Sequence, residues 1–141
     1  TGVFNLELAR LYGYLFQKTD QNFTILYALD GYDEISLTGP ARAIRKSGES
    51  TINPQDFGVE PISEKQITGG DTVSSSAAIF MSVLDGKGTT AQTNVVSANA
   101  AMAIATATDC TPIEGFEKAK ISLMSGKAYQ AFKTLQKLSA A

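Results

Sequence analysis

The first thirty residues contain two patterns of apolar residues: a helical periodicity, followed by a continuous apolar run. Between residues 6 and 18 they recur at helical intervals, which predicts a helix with one face on the core and Asn5 as its N-cap; these positions are Leu8, Leu11, Tyr12, Leu15 and Phe16. Residues 23–28 are β-branched, aromatic and nearly all apolar, as in a strand buried on both faces. Residues 1–4 resemble the end of an earlier strand. This order predicts a βαβ unit with a parallel sheet and a right-handed crossover.

Residues 41–52 show the pattern of a hairpin. Small or apolar residues alternate with basic ones over 41–46, which predicts a half-exposed strand. Ser47-Gly48 forms the predicted turn and residues 49–52 return. Arg42, Arg45 and Lys46 raise the possibility of phosphate binding. The polar character of the pair favours instead a solvated sheet edge that discourages aggregation.

The remaining sequence predicts helices. Residues 53–56 and 63–66 carry the capping residues of two short turns. Four longer helices follow, over 72–84 with Asp71 as N-cap, over 90–107, from Thr111-Pro112 to about 124, and over 127–138. The second of these is rich in alanine and apolar on most sides, which predicts a buried helix with closely packed neighbours. The last has an apolar stripe at Tyr129, Phe132, Leu135 and Leu138.

Composition narrows the functional class. The 141 residues, of which 43% are hydrophobic, suffice for one domain with a core. A net charge of −2 gives no electrostatic footprint for nucleic acid. The absence of histidine excludes Ser-His-Asp and Cys-His catalysis within the chain. With one cysteine, Cys110, and no apolar run long enough for a membrane span, we expect a cytoplasmic protein that does not contact membranes. Because the chain begins with Thr1 rather than methionine, we expect a fragment.

The candidate site is the acidic stretch between the buried strand and the hairpin. Asp30, Asp33 and Glu34 place three carboxylates within five residues, between glycines at 31 and 39. They follow the carboxyl end of a strand, the edge where open α/β sheets bind ligands. Carboxylate oxygens on a short loop suit Mg²⁺, which keeps several waters and bridges to substrate phosphates. The alternative is an acidic surface turn, since Asp and Gly are common in turns.

The same stretch carries a family resemblance. Asp30-Gly31-Tyr32-Asp33-Glu34-Ile35-Ser36 followed by Thr38-Gly39-Pro40 closely resembles the signature near the middle of the anthranilate phosphoribosyltransferase family. Further landmarks agree in order and cover nearly the whole chain. They are Thr1-Gly2-Val3-Phe4, Pro54-Gln55-Asp56-Phe57-Gly58, Gly69-Gly70-Asp71, Asn99-Ala100-Ala101 and Ser125-Gly126-Lys127-Ala128.

The resemblance implies a fold and a reaction. Residues 1–141 would form the C-terminal part of the large α/β domain of the nucleoside phosphorylase/phosphoribosyltransferase fold, with the βαβ unit and edge hairpin followed by a cluster of helices. The family transfers the phosphoribosyl group of phosphoribosyl pyrophosphate to anthranilate in tryptophan biosynthesis, usually as a homodimer. Asp33 and Glu34 would be the acidic pair that holds Mg²⁺ against the pyrophosphate.

The chain also departs from the family. The Gly-Thr-Gly-Gly-Asp phosphate loop, the Lys-His-Gly-Asn motif and the anthranilate-binding arginine lie upstream in the family, and Gly69-Gly70-Asp71 does not replace them. We therefore expect this chain alone to be inactive and to self-associate through exposed apolar surface. A pyrimidine nucleoside phosphorylase and a nucleic-acid-binding relative of the same fold are the alternatives. The acidic pI of about 5.1 and the intact Asp33-Glu34 pair count against the second.

Overall fold

A computed structural model describes residues 1–139, so the last two residues of the predicted domain lie outside the described part. Its regular elements are α1 (Leu6–Phe16), β1 (Thr24–Ala28), β2 (Ala41–Arg45), β3 (Gly48–Ile52), α2 (Val73–Leu84), α3 (Thr90–Thr108), α4 (Pro112–Met124) and α5 (Lys127–Ser139). Single turns of 3₁₀-helix at Pro54–Phe57 and Glu64–Gln66 join the sheet to the helices. The predicted hairpin and both short turns are confirmed. Within residues 1–139 no helix is long and apolar enough to cross a membrane.

The sheet combines one parallel contact with an antiparallel meander. Its three strands lie in the order β1-β2-β3, and each neighbouring pair is antiparallel. On the free side of β1, Gly2 forms a parallel bridge to Leu26, with hydrogen bonds of 2.9 Å from Val3 N to Leu26 O and from Leu26 N to Thr1 O. The predicted parallel βαβ pairing is therefore present, but only as an isolated bridge. The sheet is otherwise antiparallel, because a loop without a crossover helix returns the chain from β1 to β2.

Alternate residues of β1 face two different apolar clusters. Ile25 and Tyr27 pack with α1 on one face, whereas Leu26 and Ala28 pack with α3 and α4 on the other. All five residues of the strand are buried. The prediction of a strand buried on both faces is confirmed, and the architecture is a sheet with helices on both sides.

Helix α1 covers its face of the sheet with only part of its apolar surface. Ala9 is fully buried, and Leu8 packs beside it in the cluster against β1. Leu11 and Leu15, which the spacing predicts to be core residues, are 63% and 61% exposed. Both lie on a neighbouring stripe of the helix that the sheet does not reach, so their predicted burial is wrong.

Helix boundaries follow the caps. The Asn5 side chain accepts a hydrogen bond from Leu8 N at 2.8 Å, as predicted for the start of α1. The N-cap of α2 is Thr72 rather than the predicted Asp71, since the Thr72 hydroxyl accepts from Ser75 N at 3.1 Å. Thr111 and Pro112 begin α4 as predicted.

Helices α3 and α4 pack closely through small residues. Ala98 and Ala101 of α3 and Gly115 of α4 are buried, and Met102 completes the α3 face. Val96 on the other side of α3 is 43% exposed, so α3 is buried along one face rather than on most sides as predicted. Small side chains allow the close approach that anchors α3 beneath the sheet.

The last helix, α5, lies at the surface. Helix α5 has no buried residue among those described, and its Leu135 and Leu138 are exposed. Phe132 is the aromatic member of its stripe that contacts another helix, edge-on against Phe80 of α2 with ring centroids 5.0 Å apart. This end of the molecule contributes little to the core around β1.

Candidate functional site

The acidic loop occupies residues 29–40, between β1 and β2. Its two ends are joined by a hydrogen bond of 2.9 Å from Leu29 N to Pro40 O. A second bond of 2.9 Å from Ala28 N to Tyr32 O folds the first half of the loop back onto the strand. The loop thus begins at the carboxyl end of the buried strand, as the sequence predicts.

Asp30 is used within the loop. Its carboxylate accepts hydrogen bonds from Ser36 Oγ, at 3.0 Å, and from Thr38 Oγ1. The Ser36 hydroxyl in turn accepts from Thr38 N at 3.2 Å. Both bonds to Asp30 go to Oδ2, so Asp30 stabilises the loop, which the other two acids of the stretch do not do through their side chains.

Asp33 and Glu34 are both exposed. Within residues 1–139 neither side chain accepts a hydrogen bond or forms an ion pair, which leaves their carboxylate oxygens available to a ligand. No cluster of three His, Cys, Asp or Glu side chains suited to a metal occurs in the same range. A pair of carboxylates does fit Mg²⁺, which binds proteins through one or two such groups and completes its shell with water and substrate phosphate.

The second half of the loop is anchored in the core. Ile35, Ser36 and Leu37 are consecutive buried residues, with Leu37 fully inaccessible. Leu37 has a φ of 61°, in the left-handed region that a leucine rarely adopts, and its carbonyl accepts from Ile62 N at 3.0 Å. This conformation costs on the order of 1–2 kcal/mol, which the burial of a leucine side chain can offset.

Asn99 of α3 holds the loop backbone from the other side. Its Oδ1 accepts a hydrogen bond from Ile35 N at 2.9 Å, and its Nδ2 donates to Ile35 O at 2.8 Å. Nδ2 also donates to Val95 O at 3.0 Å, within α3 itself. Sequence reasoning noted Asn99 only as a landmark and missed this contact. The sequence does contain one indication of such a role: Asn99 is an amide between two alanines in a helix that is predicted to be buried.

Gly2 contacts the loop on its N-terminal side. A Cβ atom at this position would lie 2.0 Å from Asp33 O, a distance that no side chain tolerates. The bridge between Gly2 and Leu26 holds the first residues beside β1, so the backbone of Asp33 rests directly on the backbone of Gly2. The backbone of the acidic pair is therefore constrained at two points, by Gly2 at the carbonyl of Asp33 and by Asn99 at the N–H of Ile35.

An open groove runs along the free side of β1. Its volume is about 580 Å³, and Glu34 and Asn99 both line it, together with Gly2 and Met102. Space of this size accommodates a small-molecule ligand or another segment of polypeptide. The carboxylate of Glu34 thus borders both solvent and a substantial cleft.

Tyr32 links the acidic loop to the 3₁₀ turn at Glu64–Gln66. Its hydroxyl donates a hydrogen bond to Glu64 Oε1 at 3.3 Å. Desolvation by the surrounding protein and the negative charge of Glu64 raise the pKa of Tyr32 above its usual value. This contact fixes the tip of the loop without using Asp33 or Glu34.

Two basic residues of the hairpin, Arg42 and Arg45, have partners other than the acidic pair. Arg42 pairs with Glu49 across β2 and β3, with Nε 2.9 Å from Glu49 Oε1, and it donates to Thr51 Oγ1 at 3.0 Å. Arg45 Nη2 lies 3.9 Å from the sulfur of Met102. The pairing of Arg42 counts against a phosphate site at that residue. The predicted sheet edge is present in β3 alone, because β2 also pairs with β1 and is the middle strand.

Residues 1–129 match the model of the glycosyl transferase family, a/b domain. Among curated proteins, the chain is 60% identical over 138 residues to an anthranilate phosphoribosyltransferase of Flavobacterium johnsoniae, covering 98% of this chain and 42% of that protein. It is 40% identical over 139 residues to the anthranilate phosphoribosyltransferase of a Bacteroides fragilis strain, again covering 98% of the chain and 42% of the relative. The chain thus spans well under half the length of these relatives.

Solved structures show the same fold at lower identity. Anthranilate phosphoribosyltransferase from Thermus thermophilus superposes with a TM-score of 0.85 at 22% identity, over 94% of this chain and 40% of that chain. The Saccharomyces cerevisiae enzyme in complex with PRPP and Mg gives a TM-score of 0.79 at 22% identity, over 94% and 38% of the two chains. The described residues therefore form part of a larger α/β domain seen in those proteins.

Proposed function

Because the chain belongs to the glycosyl transferase family through its a/b domain, we propose that residues 1–141 are the C-terminal part of the catalytic domain of an anthranilate phosphoribosyltransferase. The names and high identity of the curated relatives support this proposal, as does the fold. The proposed reaction transfers the phosphoribosyl group from phosphoribosyl pyrophosphate to anthranilate, a step of tryptophan biosynthesis. The longer protein is the active species, and we propose that it is a cytoplasmic homodimer.

The observation that carries the proposal is the pair of adjacent carboxylates of Asp33 and Glu34. Both lack a protein partner within residues 1–139, and both extend from a loop whose backbone is fixed on two sides. We assign them as the residues that hold Mg²⁺. When bound there, Mg²⁺ would neutralise the negative charge that develops on the departing pyrophosphate. The yeast neighbour's complex with PRPP and Mg supports this assignment.

The chain's own residues supply position and charge. Asp33 and Glu34 provide the oxygen ligands, and Glu34 lines the 580 Å³ groove. Asp30 is not assigned as a ligand, since its Oδ2 is bonded to Ser36 and Thr38 within the loop. The groups that contact the pyrophosphate and the anthranilate amine are proposed to lie in the part of the relatives that this chain does not span. The proposed site is thus completed by the rest of the longer protein.

The test compares the longer protein with a variant that neutralises the acidic pair. Turnover is followed as loss of anthranilate fluorescence in the presence of phosphoribosyl pyrophosphate and Mg²⁺. The Asp33→Asn, Glu34→Gln variant should lose activity by about 100-fold or more, as expected when ligands of a catalytic metal are removed. A matched control, Asp20→Asn with Glu117→Gln, makes the same change of charge at two exposed positions and should turn over like the wild type.

Two results would contradict the proposal. Equal activity in wild type and the Asp33, Glu34 variant would reduce the acidic pair to a surface turn. Silence of the wild type together with phosphorolysis of a pyrimidine nucleoside would assign the protein to the phosphorylase alternative.

A further inference from the structure

The peptide groups on both sides of Glu34 are fixed by residues outside the loop. On one side, Asp33 O lies against Gly2, where a Cβ atom would approach to 2.0 Å. On the other, Asn99 bonds both the N–H and the carbonyl of Ile35, at 2.9 and 2.8 Å. A backbone held at both ends fixes the direction in which the Glu34 side chain leaves the loop.

The amide of Asn99 has no donor left for a substrate. Its two N–H groups bond Ile35 O and Val95 O, and its oxygen accepts from Ile35 N. The opposite orientation of the amide would place its oxygen against two carbonyl oxygens, so the network determines which atom faces which group. Asn99 therefore contacts the acidic loop through the backbone of Ile35 and has no N–H left to donate to a ligand in the groove.

From this geometry we infer that Asn99 is a positioning residue, which holds the Asp33-Glu34 carboxylates ready for a divalent cation. The inference rests on the proposed function, because it assumes that these carboxylates bind Mg²⁺. Without the two bonds to Ile35, the loop must lose conformational freedom at the moment the ion binds, and that loss of entropy weakens binding. Outer partners of metal ligands affect metal affinity in this way.

The experiment uses the longer protein and measures Mg²⁺ binding directly by isothermal titration calorimetry, together with the Mg²⁺ concentration that gives half-maximal turnover. Asn99→Ala should raise that concentration by about 10-fold, the lower end of the range for lost outer partners of a metal site. Excess Mg²⁺ should restore most of the rate in this variant, because its ligands are intact. The Asp33→Asn, Glu34→Gln variant should not recover, because its ligands are gone.

Thr111→Ala separates positioning from simple destabilisation. It removes the N-cap of α4, which bonds Glu114 N, and so lowers the stability of the fold without touching the loop. Its half-maximal Mg²⁺ concentration should stay within about twofold of wild type, whereas that of Asn99→Ala shifts. If Asn99→Ala does not fold, Asn99→Ser replaces it, since the short neutral side chain stays polar, adds no charge near the cation, and cannot make both bonds to Ile35.

The outcomes distinguish the two claims. If the wild type does not turn over anthranilate, the proposed function fails. Turnover without dependence on Mg²⁺ would leave the transferase activity standing and overturn the metal role on which the inference about Asn99 rests. If the wild type depends on Mg²⁺ but the Asn99 variants match Thr111→Ala, the proposed function stands and the positioning role of Asn99 is overturned.

Discussion

Gly115 of α4 lies directly against Ala101 of α3. A Cβ atom at Gly115 would be 2.6 Å from Ala101 O and 3.2 Å from its Cα. These are backbone atoms of a buried helix, so they cannot move aside as a side-chain tip would. The close approach of the two helices, which supports Asn99 under the acidic loop, depends on the absence of a side chain at this position.

Gly115→Ala should therefore destabilise the protein by about 1–3 kcal/mol, the usual cost of overpacking a core. Gly13→Ala is the matched control, since Gly13 lies inside α1 and a Cβ there would meet Ile44 Cγ2 at an ordinary 3.4 Å. Replacing an interior helical glycine by alanine should stabilise by about 0.5–1 kcal/mol. Urea unfolding of both variants measures the difference, and a stabilising effect at Gly115 would contradict the packing argument.

Ser97 of α3 tests how much an unpaired buried hydroxyl group costs the fold. Its side chain is 1% exposed, and Oγ has no hydrogen-bond partner among residues 1–139. A buried hydroxyl without a partner costs roughly 1–3 kcal/mol. Ser97→Ala should thus raise the free energy of unfolding by about 1 kcal/mol, whereas Thr106→Ala, which loses a bond to Thr24 Oγ1 at 2.6 Å, should lower it. A loss of stability in Ser97→Ala would indicate an ordered water on the hydroxyl.

Glu114 gives the start of α4 a pH dependence. Its carboxylate accepts from Thr111 N at 2.8 Å and from Thr111 Oγ1 at 2.9 Å, and the backbone bond is the main reason that the pKa of Glu114 is lowered. The pKa of Glu114 is lower in the folded state than in the unfolded state. These bonds therefore contribute their full stability at pH values above the ordinary pKa of 4.5. That contribution is lost as the pH falls through the folded pKa.

The melting temperature at pH 7 and at pH 3 measures this effect. Glu114→Gln keeps an acceptor for the cap but does not titrate, so its melting temperature should fall less between the two values than that of the wild type. Glu117→Gln changes an exposed acid of the same helix that lies outside the cap, and should behave like the wild type. Equal falls in all three proteins would show that the cap bonds do not depend on ionisation of Glu114.

Local signals in the sequence were sufficient for most elements. The Thr111-Pro112 pair starts α4, and the alternation over residues 41–46 forms β2, the half-buried middle strand of the sheet. The acidic stretch lies at the carboxyl end of a buried strand as predicted. These features depend on neighbouring residues in the chain, which explains why propensity and periodicity are enough to find them.

Periodicity and propensity do not predict the features that depend on residues distant in the sequence. Asn99 meets Ile35 across 64 positions, and its amide carries no mark of that partner in the sequence. The exposure of Leu11 is set by how much of α1 the small sheet covers. Asp30 is chemically like Asp33, and only the positions of two hydroxyl groups decide that Asp30 is bonded within the loop.

The exposed apolar stripe of α1 leads to a prediction about association. Leu11, Tyr14 and Leu15 are each more than 60% exposed, and Phe4 at 66% lies just before the helix. Apolar surface of this kind favours contact with other polypeptide. The isolated chain of residues 1–141 should therefore form oligomers at micromolar concentration, detectable by light scattering.

Leu11→Gln with Leu15→Gln should shift the isolated chain toward monomer, because it removes the two aliphatic side chains that the sheet leaves uncovered. Leu135→Gln with Leu138→Gln is the matched control, since both leucines are also exposed but belong to α5, at the far end of the sequence. If the α1 stripe directs association, only the first variant changes the average mass. A monodisperse wild-type monomer would refute the prediction, and an equal effect of both variants would place association on apolar surface in general rather than on α1.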